Sequence, residues 1–264
     1  NTGPIEFFEH PWFNPGLFIA NKVLFDRLIT CDGGLAPTRP KMAKHYSLSP
    51  DGKKLTFILK ENLKWHDGLR ITANEVKWNI ELALKVPALM PNFKNTFKSI
   101  QGAESYINGS ASSVSGIKVS GNKLTLTFSK VDPNVLLTFS QFAPLPKKHI
   151  ENVDPTKFQQ HPFWQNPIGS GPYRVKEVQM NDYIVMAPFD DYHEGRARID
   201  EIIASPSNDN DANLVKNASA GRMDYGFTKN VADVKSLEAM NHMNVLPQNI
   251  PYTRMIWFQK FAKK

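Results

Sequence analysis

The chain has 264 residues, 41% of them hydrophobic and 22% charged, with a formal net charge of +7 and a single cysteine. That length supports one large core or two smaller ones, and the composition excludes the disordered and collagen-like classes. One cysteine excludes an intrachain disulfide and a thiolate metal cluster.

A basic excess raises the question of an acidic partner such as nucleic acid. Here the cations are scattered, and the short runs "DGKK" (51–54) and "PKK" (146–148) read as solvated loop lysines. Cys31, in "ITCDGG", carries no catalytic signature and reads as a small packing residue. No stretch approaches the roughly 20 apolar residues that span a bilayer. The start, "NTGPIEFFEH", lacks the basic-then-apolar order of an export signal, so the chain is either cytosolic or has lost its leader.

In chain order, "LTFILK" (55–60) alternates as a strand between two Asp-Gly turns, the second at Asp67-Gly68. "ITANEVKWNIELAL" predicts a helix over 73–86. Thr72 and Glu75 form its capping box, Val76, Ile80, Ala83 and Leu84 its apolar face, and Pro87 its end. "SGIKVSGNKLTLTFSK" predicts a hairpin turning at Gly121-Asn122, with Leu124, Leu126 and Phe128 on one face. A short helix follows from Pro133, then an extended segment imposed by Pro144 and Pro146. A strand pair turns at Asn181-Asp182; a helix stops at Gly221 and leads into a strand; "VADVKSLEAM" is a last amphipathic helix. Strands mixed with helices without regular alternation predict an α+β or mixed α/β protein.

"GSGPYRVKEV" (169–178) looks like a phosphate cradle, but such a cradle needs a following helix. A proline and a β-rich run follow instead, so the glycines read as a tight turn that starts a strand. His66, in "KWHDG", and His161 show no metal-ligand spacing, and His66 reads as a partly exposed hairpin residue. No G-x-S-x-G elbow supports a serine hydrolase. Asp190, Asp191 and Glu201 are candidates for a glycosidase pair, with surface salt bridges the favoured reading. Aromatics cluster as "FFEHPWF" and "IPYTRMIWFQ" near the two ends. They serve a core, or stack on a ligand.

Four blocks, in order, resemble the extracellular solute-binding proteins of ABC transporters, family 5, which include oligopeptide, dipeptide and nickel binders. "DGKKLTFILKENLKWHDGLRITANEVKWNIELAL" resembles the family's strand, W-H-D-G turn and T-A-x-(D/E)-V helix start. "NPIGSGPYRVKEV" is similar to its P-x-G-T-G-P-Y block, with Ser170 where threonine is usual. "YHEGRARIDEI" resembles Y-x-x-G-x-P-x-L-D-x-I, with Ala197 in place of proline, and "ASAGRMDYG" resembles L-x-x-G-E-I-D.

The resemblance implies a periplasmic-binding-protein-like clamp (type II, cluster C) that encloses a solute between two lobes and presents it to a membrane permease. This chain then holds the first lobe as discontinuous segments 1–28 and 150–264, with a small α+β subdomain inserted at 29–149. Family members usually continue beyond the equivalent of "YTRMIWFQ", so the second lobe is expected to be missing. Ligand contacts carry over to Phe13, Asn14, Pro15 and Gly16, to Tyr225, Phe227 and Thr228, and to Tyr252, Thr253 and Arg254, against the alternative that the aromatics are core residues.

The implied role is capture of an oligopeptide or dipeptide by an extracytoplasmic, monomeric binding protein. It is no enzyme, uses no cofactor or metal, binds no nucleic acid, and reaches the membrane only through a lipid anchor outside this chain. Relatives that bind oligosaccharides or metal chelates keep those ligands open, and Trp12 or Phe13 would suit a sugar. Readings of other classes are a basic nucleic-acid-binding module, with steeply salt-dependent affinity, and a periplasmic hydrolase.

Overall fold

The computed structural model describes residues 11–13, 19–32, 36–179, 182–205, 213–228 and 230–247. The chain divides into two compact units, Thr2–Pro206 and Ser207–Lys264. The larger unit contains α1 (Ile19–Leu24), β1 (Ile29–Thr30), β2 (Arg39–Pro40), β3 (Ala43–Leu48), β4 (Lys54–Leu59), α2 (Ala73–Lys85), α3 (Pro91–Lys98), α4 (Ala103–Ile107), β5 (Ile117–Ser120), β6 (Lys123–Thr127), α5 (Val135–Gln141), α6 (Lys147–Ile150), β7 (Tyr173–Gln179), β8 (Tyr183–Pro188) and β9 (Ile202–Ala204). The smaller contains α7 (Leu214–Ser219) and α8 (Val231–Glu238). The mixture of helices with antiparallel sheets is the expected mixed α/β class.

An antiparallel sheet of order β3-β4-β6-β5 forms the first layer. Its register follows from alternation: Leu55 faces Leu126 and Phe57 faces Leu124 on the buried side, while Thr56 faces Thr125 on the other, their hydroxyls 3.5 Å apart. A slip by one residue would exchange the two faces, so the apolar set holds the pairing. Leu124, Leu126 and Phe128 are buried together, as their spacing predicts. Ile58 breaks the pattern, standing exposed in the polar phase of β4.

Helix α2 packs on β5 and β6. Its start has the predicted capping box: the Glu75 amide donates to Thr72 Oγ1 at 3.3 Å and the Thr72 amide to Glu75 Oε2 at 3.1 Å, a cap worth about 1 kcal/mol. Its end falls at Lys85, because Val86 must turn extended before Pro87. The fully buried Asn79, on the same helix, donates to Leu145 O at 2.9 Å and accepts from Leu145 N at 2.8 Å. One amide side chain thus satisfies both backbone groups of a residue that the flanking prolines keep out of helix and sheet.

An aromatic seam fills the space behind the sheet. Trp12 stacks on Phe142 (5.2 Å between centroids) and meets Phe158 (5.0 Å), while Phe97 meets Phe142 edge to face at 4.8 Å. One apolar core runs without a break from Leu24 and Phe25 through Phe57, Phe97 and Phe139 to Trp164, Tyr173 and Ile184.

A second antiparallel sheet, β7-β8-β9, follows. The expected strand pair is β7-β8; Asn181 of its turn lies outside the described residues. In the smaller unit α7 ends before Gly221, which takes φ +64° as a helix stop requires. The strand expected after it does not form among residues 222–228: the Arg222 amide turns back onto Asn217 O at 2.9 Å, and an open loop leads to α8. Leu214, Ala218 and Leu237 are the buried centre of this unit among the described residues.

Candidate functional site

The glycine turn is a junction. The Ser170 and Gly171 amides both donate to Leu24 O at the end of α1, at 2.9 and 2.8 Å, and the Gly169 amide donates to His66 Nδ1 at 3.1 Å. All three N–H groups that would face a phosphate are therefore used within the fold. The glycines are required by close approach: a Cβ at Gly169 would lie 1.9 Å from Leu24 O, and one at Gly171 would lie 2.2 Å from Val23 O. The sequence reading of a turn that starts a strand holds, and backbone contact supplies its reason.

His66 clamps this turn from the other side. Its amide donates to Gly169 O at 2.9 Å and its Nε2 lies 3.0 Å from Gly171 O. Because Nδ1 accepts from Gly169, the proton sits on Nε2 and is donated to Gly171 O, which fixes one neutral tautomer. Desolvation lowers its pKa to about 4, only partly offset by the bond to Gly171. The expected partly exposed hairpin histidine is thus a neutral, half-buried pin.

Beside the turn, Ser170 Oγ accepts the Asp26 amide at 3.1 Å. The buried Asp26 carboxylate accepts from Tyr192 OH at 2.9 Å and His193 Nε2 at 2.7 Å. Lys60 Nζ lies 3.1 Å from His193 Nδ1 and 3.0 Å from Glu194 Oε1, and Lys41 pairs with the other Glu194 oxygen. An ammonium only donates, so His193 Nδ1 accepts and Nε2–H points to Asp26. Burial pushes Glu194 up, but the hydrogen bonds from Lys41 and Lys60 outweigh it and hold the carboxyl at about 2. Burial first, and then the Asp26 charge, push the Tyr192 phenol upward, keeping it a donor.

The remaining acids of this block are paired at the surface: Asp191 with Lys64 at 2.7 Å, Asp190 and Asp200 with Arg196 at 3.0 and 2.8 Å, and Glu201 with Lys176 at 2.7 Å. Each is an exposed pair of small energetic value. The salt-bridge reading of Asp190, Asp191 and Glu201 is the one the geometry gives. Among the described residues no group of three or more His, Cys, Asp or Glu side chains converges as a metal site would require.

The expected ligand residues fall in both units. Phe13 is half-buried against the larger unit's core. Its neighbour Trp12 is fully buried and donates its indole N–H to Ala143 O at 2.7 Å. The reading of Trp12 as a sugar platform is therefore corrected, because packing leaves no ring face open. In the smaller unit Tyr225 is 73% exposed and Phe227 48% exposed, on the loop between α7 and α8. Thr228 Oγ1 donates to Asp233 at 3.1 Å and accepts the Asn230 amide at 3.0 Å, so it braces the entry to α8. Asn14, Pro15, Gly16, Tyr252, Thr253 and Arg254 lie outside the described residues.

The family described as bacterial extracellular solute-binding proteins, family 5 (middle), matches residues 38–261. The chain belongs to this family. It is similar to the dipeptide-binding protein of Escherichia coli strain K12, 24% identical over 91% of this chain and 47% of that protein. It is also similar to the nickel-binding protein NikA of Staphylococcus aureus, 23% identical over 81% of this chain and 38% of the relative. In fold it matches lactococcal OppA, solved with an endogenous peptide in the closed conformation, with a TM-score of 0.72 and 18% identity, over 90% of this chain and 46% of that one. The chain thus spans less than half the length of these relatives.

Within this family member, the polar hub around Asp26 is what reading the sequence missed. Its members sit up to 167 positions apart, as Asp26 and His193 do. The one local signal is the polar run Tyr192-His193-Glu194, three hydrogen-bonding side chains in succession where a surface loop needs none.

Proposed function

We propose that this chain is part of the substrate-binding component of an ABC importer, which captures an extracellular oligopeptide or dipeptide for delivery to a membrane permease. The observation that carries the reading is the shared fold, over 90% of this chain, with a protein solved around a bound peptide. The similarity to a dipeptide-binding protein supports it. Main-chain hydrogen bonding suits such a ligand, because it holds an extended peptide while tolerating varied side chains.

In this reading the cleft wall is formed by Phe13, Asn14, Pro15 and Gly16, by Tyr225, Phe227 and Thr228, and by Tyr252, Thr253 and Arg254. The exposure of Tyr225 and Phe227 supports a contact role, since a core role would bury them. First-lobe segments 1–28 and 150–264, with an insert at 29–149, belong to the same proposal. So do an extracytoplasmic location and a monomeric state. Among the described residues no helix is long and apolar enough to cross a membrane.

Native mass spectrometry of the protein purified gently from its host tests this. Retained mass that fragments into amino-acid residues is the expected result. Hexose or pentose increments would instead move the protein to oligosaccharides, and a nickel-bearing adduct to metal chelates. No adduct, with no heat of binding to a panel of di- to nonapeptides, would overturn the proposal.

A further inference from the structure

Peptide capture leaves the basic excess of the chain, +7, without a use. The fold gathers part of it on one surface. In the sheet β3-β4-β6-β5 the buried phase belongs to Leu55, Phe57, Leu124 and Leu126, so the alternate residues stand on the opposite face. There Lys54 faces Thr127, Lys123 faces both Ile58 and Ser120, and Lys118 faces Thr125, which in turn faces Thr56. All three lysines are exposed, and so is Ile58 at 41%. The four strands contain no Asp or Glu.

No ion pair among the described residues uses Lys54, Lys118 or Lys123, whereas Lys176 on the other sheet is held by Glu201. Each of the three faces a hydroxyl or an apolar side chain and never another cation, so the charges are staggered over β4, β6 and β5 without direct like-charge pairing. This pattern selects its partner. No arginine stands on the four strands, so nothing there offers the planar fork that grips a single carboxylate. No Phe, Tyr or Trp stands on this face, so bases have nothing to stack on. Spread point charges around one apolar side chain suit an array of anions over an apolar layer, which is what a bilayer of anionic lipids presents.

We propose that the outer face of this sheet is a docking surface for an anionic lipid bilayer, with Lys54, Lys118 and Lys123 over the headgroups and Ile58 among them. It gives the chain a membrane contact of its own, where the sequence reading allows only an anchor outside it. The contact is weak and reversible, since each lysine near such a surface contributes about fivefold in affinity and salt screens it. It does not depend on which solute the protein carries.

The test is flotation of the whole chain with vesicles of phosphatidylcholine containing one third phosphatidylglycerol, at low and at physiological salt, beside vesicles of phosphatidylcholine alone. Binding to the anionic vesicles that weakens with salt, and none to the neutral ones, is expected. At low salt the triple variant K54Q/K118Q/K123Q is expected to lower the partition coefficient about a hundredfold. The variant K157Q/K216Q/K235Q, which removes the same charge from exposed lysines elsewhere, is expected to change it less than about twofold. I58S lowers it severalfold and leaves the salt dependence in place. Should the first triple variant fail to fold, the three single variants decide, each expected to lower binding about fivefold. No binding to anionic vesicles, equal binding to neutral ones, or equal loss in the two triple variants overturns the surface. Duplex DNA or polyglutamate bound more tightly than the vesicles through the same three lysines overturns its assignment to lipid.

Discussion

The two units differ in how they use their apolar residues. In the described part of Thr2–Pro206 three tryptophans, Trp12, Trp65 and Trp164, and eight phenylalanines are sealed from solvent, and among the polar groups around them Asn79 meets Leu145, the Ser170 and Gly171 amides meet Leu24, and Tyr192 meets Asp26. In the described part of Ser207–Lys264 the buried centre is Leu214, Ala218 and Leu237, while Tyr225, Phe227, Val231 and Leu246 face outward. The first unit buries its large apolar side chains in one continuous core. The described part of the second leaves large apolar side chains at its surface, as the proposed contact role of Tyr225 and Phe227 requires.

The largest effect that would sharpen this contrast is G169A. Its Cβ would collide with the Leu24 carbonyl, and neither backbone can yield cheaply. A loss of about 4 kcal/mol or more, or no soluble protein, is expected in urea unfolding. N79L should follow with a loss of about 3 kcal/mol, because it strands the buried N–H and C=O of Leu145. A near-neutral result in either case would mean that the glycine junction or the proline segment is not held as described.

A third expectation concerns pH. His66 has a folded pKa of about 4 against 6.5 unfolded, so the unfolded chain takes the proton first. Stability is full above about pH 6.5 and declines as pH falls toward 4, by at most about 3 kcal/mol. H66N should flatten that window. The Glu194 contribution has the same sign but lies lower, being lost as pH falls from 4.5 toward 2, so H66N leaves it in place. A wild-type stability flat between pH 6.5 and 4 would break the neutral-pin assignment.

Smaller effects separate the units directly. L237A should cost about 2 kcal/mol, the low end for a leucine in so small a cluster, and hydrogen exchange should show it in α7 and α8 only. Loss of protection in β4 and β6 would show instead that the two units unfold together. Gly68 supplies the low end of the scale. It takes φ +84° and has open space where a Cβ would stand, so G68A should cost about 1 kcal/mol, through backbone strain alone.

How much was legible varied with the range of the interaction. The capping box of Thr72 and Glu75, the β5-β6 turn at Gly121 and the helix stop at Gly221 could be read directly, because each depends on residues within a few positions of one another. The strand expected beyond Gly221 failed for the opposite reason. Its apolar residues suit a strand, yet none of the described residues offers 222–228 a neighbouring edge to pair with, and an unpaired strand has little stability of its own. Of the candidate aromatics, Tyr225 and Phe227 stand exposed while Trp12, raised as a sugar platform, is sealed in the core. Composition treats all three alike, and only packing separates them.

By itself, the sequence determined the local elements, the apolar faces of the sheet and the blocks that mark the family, because side-chain period, caps and turns are encoded within short windows. The tertiary structure alone decided that Gly169 and Gly171 press on the end of α1, that His66 is a neutral pin, and that Asp26 gathers Tyr192 and His193. Those facts depend on which distant groups meet away from water. Desolvation and hydrogen bonding at such meetings set the protonation states and steric demands that no short window contains.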